Sequence, residues 1–169
     1  MFERMLALDA GLSKRFQIAE RPGILRSIAA ILAHSGDSWV WVLGLVSLWF
    51  LGPAEWKSKE ILLLVSILIM ALIVMVIKLI FRRQRPEGEW GGIYRKTDPH
   101  SFPSGHAARA SMLAILGIAI GPIWFGLILI GWAILVILSR VLMGVHYLSD
   151  VIAGTLLGVI VGLVILLVL

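Results

Sequence analysis

Between Ala110 and Leu138 the chain carries no charged residue. A single helix needs roughly 20 apolar residues to cross a bilayer, and this run is longer than that. Gly121-Pro122 divides it, so it reads as two membrane helices joined by a tight turn. Two crossings commit the rest of the chain to the same solvent. In hydrocarbon each backbone N–H and C=O must be satisfied within its own segment, which leaves the helix as the economical element. The expected fold is all-α, a polytopic membrane helical bundle.

Composition points the same way. Of the 169 residues 60% are hydrophobic and 15% charged, and the mean hydropathy is +0.99. A soluble domain of this length could not cover its core with so little polar surface. The absence of cysteine excludes a disulfide framework, a thiolate metal site and a cysteine nucleophile. The net charge of +5 is concentrated near the N-terminus (Arg4, Lys14, Arg15, Arg21, Arg26) and between Lys78 and Arg109. In a lipid-embedded chain such clusters suit anionic headgroups or a phosphate-bearing substrate, and a nucleic-acid partner is the weaker reading because most of the remaining surface must face lipid.

Residues 1–36 read as an N-terminal interfacial amphipathic segment. Phe2, Met5, Leu6, Leu8, Leu12 and Phe16 recur among charges at roughly helical spacing, with no apolar h-region of a cleavable signal. Pro22-Gly23 breaks this pattern, and 24–34 is apolar but short for a crossing. Residues 37–169 form the transmembrane domain, with crossings expected at about 38–53, 60–81, 104–120, 123–143 and 147–168. A further crossing through 22–34 would make six, so the bundle has about five to six transmembrane helices. Trp39, Trp41, Trp90 and Trp124 read as interfacial anchors.

Following these crossings brings the polar residues to one side. Lys78 and Arg85 end the second, Ser104 and His106 open the third, Ser139 and Arg140 end the fourth, and His146 and Asp150 open the fifth. A charge within a span costs about 2.5–3.5 kcal/mol on insertion scales. Singly, Lys78 and Arg140 could snorkel to headgroups and Asp150 could cap a helix. Together with two histidines at the same mouth, they read as a site.

Lys78, Arg85 and Arg140 can surround one dianionic phosphate. Pro103-Ser104-Gly105-His106 opens a helix, where a hydroxyl, a glycine and exposed N–H groups suit a bound anion. His146 and Asp150 are four apart, so on a helix they share a face, and the carboxylate can orient one imidazole nitrogen while the other attacks. His106 is placed to protonate a leaving oxygen. This inventory suffices for phosphoryl transfer with no metal or cofactor.

In these segments the chain resembles the type 2 phosphatidic acid phosphatase family. Its first signature appears as Lys78-Leu-Ile-Phe-Arg-Arg-Gln-Arg85-Pro86, and its second as Pro103-Ser104-Gly105-His106. The third appears as Ser139-Arg140-Val-Leu-Met-Gly-Val-His146-Tyr-Leu-Ser-Asp150. The resemblance spans about residues 60–160 and implies a metal-independent membrane lipid phosphatase. By it Lys78, Arg85, Ser104, Gly105, His106 and Arg140 hold the phosphate. His106 also protonates the leaving group, His146 becomes phosphorylated and Asp150 supports it.

Arg109 is the best candidate for an additional substrate contact, whereas Arg82, Arg83, Arg95 and Lys96 read mostly as a solvated loop face, with a second phosphate or the membrane surface as the alternative partner. Asp98 and His100 shape the mouth without a catalytic role. A small chain without a large extramembrane domain, and the resemblance of Gly144-Val145-His146-Tyr147 to the undecaprenyl-diphosphate branch of that family, imply undecaprenyl diphosphate as substrate, with phosphatidylglycerophosphate and phosphatidate as alternatives. A protein that binds or transports lipid phosphates without turnover is the competing class, although binding alone needs no His146–Asp150 pair. The resemblance places the site on the extracytoplasmic side of the cell membrane, whereas the excess of mouth-side cations would place it in the cytoplasm by the positive-inside rule.

Overall fold

A computed structural model describes residues 2–19, 22–88, 90 and 98–168. Seven α-helices lie among them: α1 (Phe2–Phe16), α2 (Ile24–Ser35), α3 (Ser38–Leu51), α4 (Lys57–Phe81), α5 (Gly105–Ile120), α6 (Ile123–Leu142) and α7 (Leu148–Val168), with a short 3-10 turn at Ala54–Trp56. The helix ends fall where the sequence places breakers. α3 stops at Gly52-Pro53, Gly121-Pro122 separates α5 from α6, and Ser104 caps α5 by accepting from the Ala107 N–H at 3.4 Å.

The all-α membrane bundle is as expected. α4, α6 and α7 are each long and apolar enough to cross a membrane. α2 and α3 instead form one element bent by 59° at Gly36-Asp37, so the crossing expected at 38–53 and the optional one at 22–34 are halves of a single broken pair. α5 has 16 residues and is the shortest of the remaining apolar helices. It can be short because it is sheathed: Ala107, Ala108, Ala110, Met112, Leu113 and Leu116 are fully buried by its neighbours.

The closest packing joins α5 to α7. A Cβ on Gly154 would strike the carbonyl oxygen of Ser104, one on Gly158 that of Ala108, and one on Gly162 would approach Ile115 Cβ to 3.1 Å. Small residues at four-residue spacing let two membrane helices approach backbone to backbone. The consequence for the site is direct. The start of α5, with Ser104 and His106, is held against the start of α7, with Asp150, and the Ser104 N–H donates to the Asp150 carbonyl oxygen at 3.0 Å.

Leu63, Ile67, Met70 and Val74 of α4 close the other side of α5, while Leu68, Leu72, Ile80, Ile134 and Ile160 face outward toward lipid. Trp39 and Trp124 are exposed, in keeping with anchors. Trp41 is not. It turns inward and packs on Trp132, ring centroids 4.8 Å apart.

Candidate active site

A cleft of about 740 Å³ opens at the mouth formed by the C-terminal end of α4 and the N-terminal ends of α3 and α5. Lys78, Asp98, His106, Arg109 and His146 line its polar end, and Met70, Val74 and Trp39 its apolar wall. Of the residues singled out from the sequence, Lys78, Gly105, His106, Arg109 and His146 face this space. Arg85, Ser104, Arg140 and Asp150 lie around it and are buried.

His146 lies in the turn before α7 rather than on the helix, so no shared helical face joins it to Asp150. Gly144, in the left-handed region with φ 64°, reverses the chain after α6 and delivers His146 to the cleft. Its Nδ1 is 3.5 Å from Asp150 Oδ2, an ion-pair distance, and its Nε2 is 3.2 Å from an Arg85 terminal nitrogen. A guanidinium only donates. Nε2 therefore accepts, which leaves the ring proton on Nδ1, facing the carboxylate. Burial pushes the His146 imidazole down to about 3, with Arg85 and Arg140 adding to the effect and Asp150 opposing it.

Asp150 is fully buried and held from two other directions. Its Oδ1 accepts from Arg83 at 2.7 Å, and its Oδ2 accepts from the Tyr147 N–H at 2.9 Å. Arg83 is thus no solvated loop cation. It spans Asp150 and Asp9, the latter also at 2.7 Å, and stacks 4.0 Å above the Tyr147 ring.

Asp98 occupies the centre of the cationic group. Its Oδ2 accepts from Lys78 Nζ and, at 2.7 Å, from Arg85, whose Nε also donates to the Asp98 carbonyl oxygen at 2.7 Å. Burial acts to raise the Asp98 carboxyl, but Lys78 and Arg85 outweigh it and hold the group below the usual carboxylate range. Arg85 also reaches the Val145 carbonyl oxygen at 2.9 Å, tying the first signature segment to the third. The loop that carries Asp98 is closed by an antiparallel bridge between Gln84 and His100 and by a Ser101 N–H bond to the Arg83 carbonyl oxygen at 2.8 Å. Arg95 and Lys96 lie outside the described residues.

On the opposite wall, His106 Nε2 is 2.6 Å from Asp37 Oδ1, and the other Asp37 oxygen is 3.1 Å from Nδ1 of the half-exposed His34. Asp37 stands at the N-cap of α3 but makes no capping bond there. Both its oxygens go to histidines. Arg109 lines the cleft, yet it donates to the Gly36 carbonyl oxygen and, at 2.6 Å, to Ser38 Oγ, clasping the α2–α3 break. Arg140 is fully buried and reaches back to the Ala33 carbonyl oxygen at 3.4 Å. Among the described residues no group of three or more His, Asp or Glu is arranged to hold a metal ion.

Residues 59–169 match the PAP2 superfamily. The chain belongs to that family. With membership comes its coarse activity, hydrolysis of lipid phosphates by a protein embedded in the membrane. Among PAP2 relatives, the undecaprenyl-diphosphatase of Sulfolobus acidocaldarius is 33% identical over 79% of this chain, which spans 66% of that protein's length. The decaprenylphosphoryl-5-phosphoribose phosphatase of Mycobacterium tuberculosis is 32% identical over 88% of this chain and 82% of its own. The crystal structure of Aquifex aeolicus LpxE aligns with a TM-score of 0.74 at 27% identity, covering 94% of each chain. A transmembrane PAP2 type phosphatidylglycerolphosphate phosphatase from Bacillus subtilis has the same fold, with a TM-score of 0.76 at 24% identity over 96% of this chain and 84% of its own.

Proposed function

We propose that this PAP2 protein hydrolyses a lipid diphosphate, undecaprenyl diphosphate in preference to phosphatidylglycerophosphate or phosphatidate, through a phosphohistidine at His146. The observation that carries the reading is the His146 tautomer. With Nδ1 facing Asp150, the attacking lone pair is the one on Nε2, which Arg85 holds at 3.2 Å and must yield to a phosphoryl group bound among the same cations. In the first step Nε2 forms a bond to phosphorus as the bond to the lipid-side oxygen breaks, and His106 gives that oxygen its proton. In the second step a water attacks the phosphohistidine, its proton passes to His106, and the P–N bond breaks to release inorganic phosphate. Lys78, Arg85 and Arg140, with the Ser104–Gly105 helix start, neutralise the phosphoryl oxygens throughout. Asp150 steadies the imidazolium character that develops on His146.

The preference for undecaprenyl diphosphate draws on the Gly144–Tyr147 segment and on the Sulfolobus and Mycobacterium relatives, both named for polyprenyl-linked substrates. We place the site on the extracytoplasmic side of the cell membrane. Many of the mouth-side cations that argue otherwise are engaged within the protein, Arg83 with two carboxylates, Lys78 and Arg85 with Asp98, and Arg109 with the α2–α3 break. Their position therefore has a structural cause apart from topology.

The test is phosphate release by purified protein in detergent with EDTA, comparing wild type with His146→Ala on the three lipids. Release that survives EDTA, vanishes in the variant and is fastest on undecaprenyl diphosphate supports the reading. Lipid binding without release from any of the three would instead favour a carrier.

A further inference from the structure

The N-terminal helix reads from its sequence as an arm lying on the membrane, and its apolar residues Met5, Leu8, Leu12 and Phe16 are indeed exposed. Its polar residues do something an interfacial arm does not require. Asp9 and Ser13 converge on the first turn of α7, the turn that carries Asp150. Ser13 is fully buried, and its Oγ accepts from the Leu148 N–H at 2.9 Å. Asp9 Oδ1 accepts from the Ser149 N–H at 3.2 Å. The first N–H groups of a helix have no partner within it, and here two of them are satisfied from the far end of the chain. Ile18 N–H extends the seam, donating to the Leu142 carbonyl oxygen at 2.8 Å.

Asp9 has a second task. Its Oδ2 takes one Arg83 terminal nitrogen at 2.7 Å, while the other donates to Asp150 Oδ1 at 2.7 Å and to Ser149 Oγ at 2.6 Å. One planar fork thus bridges two carboxylates. Its plane is fixed by Asp9 at one end and by the Tyr147 ring 4.0 Å away. A guanidinium held in this way can donate to Asp150 Oδ1 and leave Oδ2 to His146 and the Tyr147 N–H. Without Asp9, Arg83 is free to rotate onto Asp150 with both nitrogens, competing for the oxygen that faces the imidazole.

We infer that Asp9 and Ser13 of α1 are positioning residues for this reaction. They act through Arg83 and the α7 start to set the carboxylate that orients His146. This rests on the proposal that Asp150 supports a nucleophilic His146, and the experiment separates the two. Full-length wild type, Asp9→Asn, Asp9→Glu, Ser13→Ala, Asp150→Asn and the exposed α1 control Lys14→Gln are compared for kcat, KM and thermal unfolding in detergent, on the lipid phosphate that wild type hydrolyses fastest.

Asp9→Asn is expected to lose about tenfold in kcat, the scale of a small misplacement of a reacting group, with KM essentially unchanged. Asp9→Glu should restore part of the loss and Lys14→Gln should match wild type. Wild-type kcat in Asp9→Asn, with turnover abolished in Asp150→Asn, would make α1 a mere anchor and overturn the inference. Wild-type turnover in Asp150→Asn would instead remove the mechanistic reading beneath it. Should Asp9→Asn not fold, Ser13→Ala decides: lower kcat at constant KM supports positioning, and unchanged kcat overturns it.

Discussion

Asp37 Oδ1 lies 2.6 Å from His106 Nε2, and Asp37 gives up the capping bond open to it at the start of α3 in order to be there. An aspartate at an N-cap ordinarily accepts from the helix's own N–H groups. This one instead fixes the plane of an imidazole on another helix. Asp37→Asn preserves shape and removes the charge. It is expected to lower kcat by roughly 10- to 100-fold through misorientation of His106, with little change in KM, as read from steady-state phosphate release.

On the proposed mechanism Asp98 competes with the substrate phosphate, its carboxylate lying on Lys78 and Arg85. Asp98→Asn should remove this internal competitor while keeping the backbone bond from Arg85 Nε. Because the Asp98 side chain is 42% exposed, the effect is modest. KM is expected to fall roughly two- to fivefold, the scale of a partly exposed ion pair.

The His146 imidazole is pushed down to about 3 by burial and by the neighbouring guanidinium groups. In the unfolded chain it titrates near 6.5. As the pH falls below about 6.5 the unfolded chain takes up this proton first, so the contribution to stability is present above that value and is lost toward pH 3. Thermal unfolding in detergent should show a fall in melting temperature between pH 7 and 4.5. The fall should be shallower in His146→Gln, which cannot titrate.

At the α5–α7 contact, a Cβ on Gly158 would overlap the Ala108 carbonyl oxygen. Gly158→Ala is expected to destabilise the protein by about 1–3 kcal/mol, the usual range for overpacking. Activity should fall with it, since the same contact holds Ser104 and His106 against α7. Gly131→Ala, where the added carbon meets nothing within 4 Å, is the matched control. Its unfolding should stay within about 0.5 kcal/mol of wild type.

The sequence exposes this site because charge is conspicuous in apolar surroundings. Lys78, Arg140 and Asp150 stand out at span edges, and alternating crossings bring them to one mouth with His106 and His146. Asp9 and Asp37 do not stand out, and Asp98 reads only as part of the mouth. Each lies in a polar or amphipathic stretch where a carboxylate needs no explanation, and each acquires its role from a partner remote in sequence. Asp37 had one signal, the polar His34-Ser35-Gly36-Asp37 break between two apolar runs. The spacing of Gly154, Gly158 and Gly162 marks a close helix contact, but only the packed structure identifies α5 as the helix that fills it. The α2–α3 element escapes a hydropathy reading for a related reason, since a bent pair is two short runs in sequence and one unit in space.

The seam between α1 and α7 also fixes when the site can be completed. Asp9 and Ser149 are separated by 140 residues, so α1 gains its partner only after α7 has been made. Throughout biosynthesis the Asp9 carboxylate and the Arg83 guanidinium must remain near water or headgroups, awaiting a helix not yet inserted. A nascent chain lacking α7 can thread its earlier helices but has no Asp150 beside His146. On the proposed mechanism, competence for chemistry then waits for α7.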